Sequence, residues 1–320
     1  MVYLDKISIE KFDVYNKLLN IEKEIKMFKS GFITIIGKPN VGKSTLMNAL
    51  VGEKIAITSY KPQTTRNKIT SVLTTSDYQM VFVDTPGIHK PKNKLGEYMM
   101  KEVKGAFKDV DLLLYLVEPK ENSEIIKEHI EMFKDSNKPV ILVINKVDTI
   151  NNETLFELID KFKTYYNFSD IVPVSAAKNK NVDTLKEVMA KHLLEGPMYY
   201  SEDTITDKTV REISSEIIRE KALLFLQDEI PHGIAVMIDS MKEDSNITRI
   251  SAFIYCERES HKGIIIGRKG EMLKKIGTKA RIEIERLLDT KVFLELHVKV
   301  KDNWRDSESL IRNFGYKEEK

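Results

Sequence analysis

The chain has 320 residues, 42% of them hydrophobic and 31% charged, with a formal net charge of +2. At about 100–200 residues per domain, this length predicts two domains, each rich enough in apolar side chains to build a core. So small a net charge excludes a surface that wraps nucleic acid all round and confines any basic site to one region; the single cysteine, Cys256, excludes an internal disulfide and a zinc cluster of cysteines.

Residues 1–28 mix lysines with acids and predict a charged, helical extension. They contain no apolar core of a secretory signal. No run in the chain approaches the roughly 20 apolar residues of a membrane span, so a cytoplasmic protein is expected. "FITIIG" (32–37) is a short β-branched run ending in glycine, which predicts a buried strand. "STLMNALVG" predicts a helix stopped by Gly52. "NKITSVLTT" and "YQMVFVDTPG" predict two strands around a turn at Ser76–Asp77. "VDLLLYLVEP", "PVILVINKVD" and "DIVPVSA" are apolar runs of strand length, separated by helical patterns at 121–135, 152–165 and 181–194. Strands alternating with helices predict a mostly parallel sheet covered on both faces, with one antiparallel pair at 67–84.

The pattern breaks at "GPMYYSEDTITD", 196–207, which predicts a linker. Beyond it a helix, two alternating strands, a strand edge at "HKGIII", a glycine turn, two helices and a last strand are expected. The order is α-β-β-α-α-β. Cys256 falls in the alternation "ISAFIYC", as a buried strand thiol would. The expected division is an extension over 1–28, a first domain over 29–195, a linker over 196–207 and a second domain with a C-terminal tail over 208–320.

"GKPNVGKST", Gly37 to Thr45, has the spacing of a phosphate loop between a strand and a helix. Gly37 and Gly42 let the backbone wrap a phosphate with its N–H groups, those of Lys38, Asn40 and Val41 among them with Pro39 shaping the turn, and the helix N-terminus adds positive partial charge. Lys43 is expected on the β- and γ-phosphates, Ser44 on Mg²⁺. "NKVD" (Asn145, Lys146, Val147, Asp148) ends a strand where open α/β sheets bind ligands. The Asp148 carboxylate can accept from the ring N–H and exocyclic amine of guanine. Adenine would leave it unpaired, a discrimination on the order of 10⁴ or more. The Lys146 stem can lie along the base. "SAAK" supplies Ser175, Ala176 and Ala177, a turn whose backbone N–H would meet the guanine oxygen. "DTPGI" brings Asp84 toward the metal, Gly87 toward the γ-phosphate, and Thr85, Pro86 and Ile88 along the same strand end. "KPQTTRNK" (61–68) reads as a flexible polar segment whose Thr65, with Thr64 as the alternative, completes the Mg²⁺ shell. His89 reads as a solvated residue of the mobile segment rather than a base. Together these motifs predict a Mg²⁺-dependent hydrolase of GTP, with Lys43, Thr65, Gly87 and Asn40 as its catalytic positions.

In the second half, "IIGRKG" carries a G-x-x-G turn. In the predicted α-β-β-α-α-β setting, it resembles the loop by which KH domains of the prokaryotic type clamp about four single-stranded nucleotides. Ile266, Gly267, Arg268, Lys269 and Gly270 form it, with Lys274 and Lys275 following. Residues 258–286 hold nine lysines and arginines against four glutamates, an excess of five where the whole chain has two.

"KPQTTR", "DTPGIHKPKNKLGEYM", "NKVD", "VPVSAAK", "YYSEDTITD" and "EIIREKALLFLQDEIPHG" closely resemble the bacterial Era GTPases, over about residues 30–316. That resemblance implies a P-loop GTPase with a doubly wound mixed sheet, followed by an α+β type II KH domain. It implies binding of small-subunit ribosomal RNA near its 3′ end during small-subunit assembly, weak peripheral association with the inner face of the cell membrane, and a monomer. With Ile88 after the DxxG glycine and Asn40 in the loop, it also implies a bound K⁺. The family resemblance starts near Met27, so residues 1–26 are expected to be dispensable. A rival reading is a GTP-dependent switch whose second half binds protein or membrane instead of RNA.

Overall fold

The computed structural model describes residues 27–316 apart from 60, 62 and 109. The first 26 positions of the expected extension lie outside the described residues.

Among the described residues the first sheet has seven strands, six of which, β1 (Lys29–Gly37), β2 (Ile69–Thr74), β3 (Tyr78–Asp84), β4 (Leu112–Val117), β5 (Val140–Ile144) and β6 (Asp170–Pro173), run in the order β2-β3-β1-β4-β5-β6. The pairings among these six are parallel except β2 with β3, the antiparallel pair expected at 67–84. β4 and β5 are buried at every position, because helices cover both faces. The helices are α1 (Lys43–Val51), α2 (Lys94–Gly105), α3 (Ser123–Phe133), α4 (Asn152–Lys163) and α5 (Val182–His192). One core lies between the sheet and α1 and α5, with Leu46, Met47, Leu185 and Met189 on Ile33, Leu114 and Val143. The other lies beneath α2, α3 and α4. α2 was not expected. Its start is cut by Asn93, whose side chain accepts from Gly96 N.

A two-residue strand, β7 (Leu194–Glu195), pairs antiparallel with the start of β1. The following segment lies along the first domain. The Gln79 side chain donates to Tyr200 O at 2.9 Å and accepts from the Tyr199 and Tyr200 amides at 2.7 and 3.0 Å. Val72 N donates to Ile205 O at 2.8 Å, and Thr206 Oγ1 to Thr70 O at 2.6 Å, so residues 205–206 run beside β2.

The second half opens on α6 (Val210–Phe225), whose first turn is closed by a reciprocal capping box between Thr209 and Glu212. Strands β8 (Ala235–Asp244), β9 (Ile247–Cys256) and β10 (Lys291–Val300) form a sheet in the order β10-β9-β8, with β9 and β10 parallel. α6, α7 (Glu259–Ile266) and α8 (Glu271–Leu288) cover one face, burying Ile218, Ile265, Ile276 and Ile284. Cys256 is fully buried on β9. The strand edge expected at "HKGIII" is helix α7, and one helix, not two, follows the glycine turn. The β-branched run suggested a strand by local preference, but the need to bury Ile265 against α8 overrides it. Trp304, Tyr316 and α9 (Glu308–Asn313) pack on the other face of the sheet together with Leu95, Tyr98 and Met99 of α2. The two halves therefore share a small core.

Candidate functional site

The phosphate loop leaves β1 at Gly37 (φ 149°) and enters α1 after Gly42 (φ 102°). A Cβ at Gly42 would stand 2.3 Å from Asn145 Nδ2, so only glycine lets the two loops approach this closely. The loop wraps a cavity of about 350 Å³ whose lining includes Pro39, Asn40, Thr45, Gly87 and Lys146. Lys43 Nζ donates to the Gly37 and Lys38 carbonyls at 3.1 Å each. Burial pushes its ammonium down to about 8, against the opposing pull of Asp84 and Glu121. Lys38 itself pairs with the buried Glu121 carboxylate at 3.1 Å.

Ser44 Oγ lies 2.7 Å from Asp84 Oδ2 and 2.9 Å from Thr65 Oγ1, and Thr65 Oγ1 lies 3.4 Å from the same carboxylate oxygen. Asp84 is fully buried, and its Oδ1 has no hydrogen-bond partner. Burial holds its carboxyl above the usual range, although Lys43, Ser44 and Thr65 pull it down. Three oxygen-bearing side chains with an orphaned carboxylate oxygen fit a hard divalent cation such as Mg²⁺. Thr64 is not in this group; its hydroxyl turns back to Lys61 O at 2.7 Å.

Of the other positions on the DTPGI strand end, Thr85 donates to Ile35 O at 2.8 Å and is fully buried, so it braces β1. Gly87 lies against the loop; a Cβ there would be 2.6 Å from Pro39 N. Ile88 is buried in the core. His89 is not solvated. Its ring is half-buried, with Nδ1 2.8 Å from Gly87 O, and its buried Nε2 has no partner.

At the far end, Asn145 is a strut. Its Nδ2 donates to Val41 O at 2.8 Å, and its Oδ1 accepts the Ala176 amide at 3.0 Å. One side chain thus ties the phosphate loop to both base-end loops. Lys146 (φ 61°) donates to Asn40 O at 2.8 Å and pairs with Glu118 at 2.7 Å, laying its stem across the cavity mouth. Val147 is buried below it. Asp148 is exposed, and its Oδ1 accepts from Ser175 Oγ at 2.6 Å, which holds the carboxyl below its ordinary range. Ala177 is exposed beside them on the same turn.

The segment read as flexible, 61–68, is anchored to the second half at three points, and Thr58 just before it adds a fourth. Thr58 N donates to Glu220 Oε1 at 2.9 Å. Lys61 Nζ reaches Leu226 O, and Arg219 Nη2 reaches Thr64 O. Arg66, 2% exposed, points away from the cavity. Its Nη1 donates to Ile234 O at 2.7 Å and Tyr316 Oη at 3.1 Å, its Nη2 to His232 O at 3.1 Å, and Trp304 lies 5.6 Å off. Sequence reasoning missed these anchors and also missed Ile57, Thr58 and Ser59, which line the cavity. No sequence motif marks them.

In the second half, α7 ends at Ile266 and the turn Arg268–Gly270 leads into α8. Gly267, Lys269 and Gly270 have φ of 74°, 51° and 79°. A Cβ at Gly267 would come 2.7 Å from Met272 Cβ. Arg268 and Lys269 are exposed at the tip. A groove of about 390 Å³ starts at Gly270 and runs between α8 and β10, lined by Leu273, Lys274, Gly277, Thr278, Arg281 and Leu296 among others. Its apolar wall was not expected. Lys275 does not line it; its ammonium sits 4.3 Å over the Phe225 ring.

Residues 32–146 match the family described as 50S ribosome-binding GTPase, and residues 229–305 match the KH domain family. The GTPase Era of Clostridium kluyveri (strain NBRC 12016) is 55% identical over 295 residues, which are 91% of this chain and 100% of that protein. The GTPase Era of Caldanaerobacter subterraneus subsp. tengcongensis is 53% identical over 292 residues, 90% of this chain and 98% of the relative. Among solved structures, Era in complex with MgGDPNP and nucleotides 1506–1542 of 16S ribosomal RNA is 41% identical. It aligns with a TM-score of 0.87 over 90% of this chain and 99% of that one. A tyrosine-to-alanine variant of Aquifex aeolicus Era bound to GDP and AlF4⁻ aligns with a TM-score of 0.86 at 40% identity, with the same coverage.

Proposed function

This chain belongs to the Era family of GTPases, and from that premise we propose that it is a GTP-hydrolysing switch that binds single-stranded small-subunit ribosomal RNA near its 3′ end and assists assembly of the small subunit. The observation that carries the reading is the convergence of Ser44, Thr65 and Asp84 on one point beside Lys43. Thr65 can join that group only while its segment is folded over the cavity. A loop whose position depends on the terminal phosphate is what makes a hydrolase a switch.

Phosphoryl transfer asks little covalent chemistry of a protein and much positioning. The backbone N–H groups between Gly37 and Ser44, Pro39 excepted, and the Lys43 ammonium would hold the β- and γ-phosphates. Gly87 N would meet the γ-phosphate, and Asp148 would read the base. Ser44, Thr65 and Asp84 would hold Mg²⁺, which supplies charge to offset the phosphate oxygens. Ile88 cannot orient water. Asn40, in the left-handed region and on the cavity wall, is our candidate to hold K⁺, which would supply charge near the bridging oxygen. Arg66 is committed to the second half and supplies no arginine to the phosphates.

For RNA, the glycine turn would clamp the backbone and Arg268, Lys269 and Lys274 would meet phosphates. The apolar groove wall is suited to bases. We take 29–195 as the GTPase domain, 196–207 as the connection and 208–320 as the RNA-binding domain. Among the described residues no helix is long and apolar enough to cross a membrane.

The test joins two measurements on the full chain: GTP hydrolysis with and without Mg²⁺, and filter binding of single-stranded RNA at two salt concentrations. Phosphate contacts give a steep salt slope. Hydrolysis without RNA binding would favour the rival switch acting on protein or membrane.

A further inference from the structure

Glu220, on α6, is 4% exposed and is shared by both halves. Its Oε1 accepts the Thr58 amide, part of the nucleotide cavity wall, at 2.9 Å. Its Oε2 accepts Lys54 Nζ at 2.8 Å and Lys221 Nζ at 2.5 Å. The same two lysines also reach Glu283: Lys54 Nζ lies 2.6 Å from Oε1, and Lys221 Nζ pairs with Oε2. Glu283 stands on α8, the helix that lines the RNA groove through Gly277, Thr278 and Arg281. On the nucleotide side, the Ile55 and Ala56 amides donate to Asn48 Oδ1 at 3.1 and 2.9 Å, so the loop that carries Lys54 is pinned to α1.

We propose that the cluster Lys54–Glu220–Lys221–Glu283 couples the two sites, with Glu220 positioning the Thr58 wall of the nucleotide cavity and Glu283 carrying that position to the RNA-binding helix. The charges balance two against two, so no group inside is left unpaired in this arrangement. Moving Thr58 away removes one of the three donors on Glu220. Its lysines are then free to shift toward Glu283, and α8 moves with them. Charges in one partly buried cluster respond together because each desolvated group depends on the others for its partner. This inference rests on the GTP and RNA reading above and adds its wiring.

The test uses the full chain and an RNA equal to nucleotides 1506–1542 of 16S ribosomal RNA. Its Kd is measured by anisotropy with the protein saturated with MgGDP and with MgGDPNP. Wild type should show a ratio of about fivefold or more between the two states. Glu283→Gln cuts the link to α8 yet leaves Glu220 with both lysines. It should bring the ratio to within about twofold while GDPNP affinity and hydrolysis without RNA stay within about twofold. Glu283→Asp, which keeps the charge, should restore much of the ratio. Reciprocity requires that RNA change the ratio of GDP to GDPNP affinity by the same factor in wild type, and not in Glu283→Gln. A wild-type ratio retained in Glu283→Gln, or a wild-type protein that binds this RNA equally in both states, overturns the coupling and leaves the function standing. A wild-type protein that binds no RNA in either state overturns both.

Discussion

The hydroxyl of Ser175 donates to Oδ1 of the exposed Asp148 carboxylate at 2.6 Å. An exposed carboxylate is thereby aimed before any base arrives. Asp148→Asn keeps the Ser175 contact, because an amide oxygen still accepts, but places a donor where guanine offers donors. GTP affinity should fall by roughly 10⁴ and XTP should become the preferred nucleotide. Competition binding of the two nucleotides decides it; an unchanged preference for GTP would remove Asp148 from base reading.

Lys43 yields a pH dependence. Burial holds its ammonium down to about 8 before nucleotide binds. Phosphates beside it must raise that value, since an opposite charge favours the charged form. A group whose pKa rises on binding contributes affinity that is complete below its free value and lost as pH climbs past it. GDP affinity should therefore be level from pH 6.5 to about 8 and then fall by about tenfold per pH unit. Titration calorimetry at several pH values in buffers of different ionisation heat would also show proton uptake on binding above pH 8. A flat profile to pH 9.5 would refute this.

Gly270 has φ 79° and open space around it. Gly270→Asp meets no clash, costs about 1–2 kcal/mol for the left-handed backbone, and sets a negative charge where a phosphate must lie. RNA affinity should fall at least tenfold, with GTP hydrolysis in the absence of RNA unchanged. Equal RNA affinity would show that the strand does not pass this turn.

Asn40 and Ile88 together predict hydrolysis that is slow, and several-fold faster in KCl than in NaCl at matched ionic strength. Asn40→Ala should abolish the difference, and a GDP affinity close to wild type would show that the loop survives the added strain at φ 67°. Equal rates of wild type in the two salts, alone and with RNA, would end the case for a bound K⁺.

Much of the fold follows from local pattern. The buried runs of β4 and β5, the loop from Gly37 to Thr45 and the NKVD and SAAK turns are contiguous, and each chemistry is written within a few residues. α7 was misread because "GIII" prefers a strand locally and its helical form depends on packing against α8. α2 was passed over because its first turn continues a loop motif. The anchoring of residues 58–66 was invisible for another reason. Arg66 meets Tyr316 across 250 positions and Thr58 meets Glu220 across 162. A buried arginine bound to carbonyls looks, in sequence, like any polar loop residue. The choice between Thr64 and Thr65 was open for the same reason, since adjacent threonines differ only in where the loop turns them.

The segment beside β2 has a consequence for how the molecule stays soluble. β2 is an outer strand of its sheet, and an uncovered outer strand is a template for pairing with another chain. Residues 205–206 occupy that row through the Val72–Ile205 and Thr206–Thr70 hydrogen bonds, so the connection between domains doubles as a guard against aggregation. A fragment ending at Glu195 would bare β2, whereas one ending at Asp207 would keep it covered. Light scattering of the two fragments at equal concentration should show self-association only in the shorter. If both scatter alike, β2 is protected by its own twist and charge, and residues 196–207 serve only to connect.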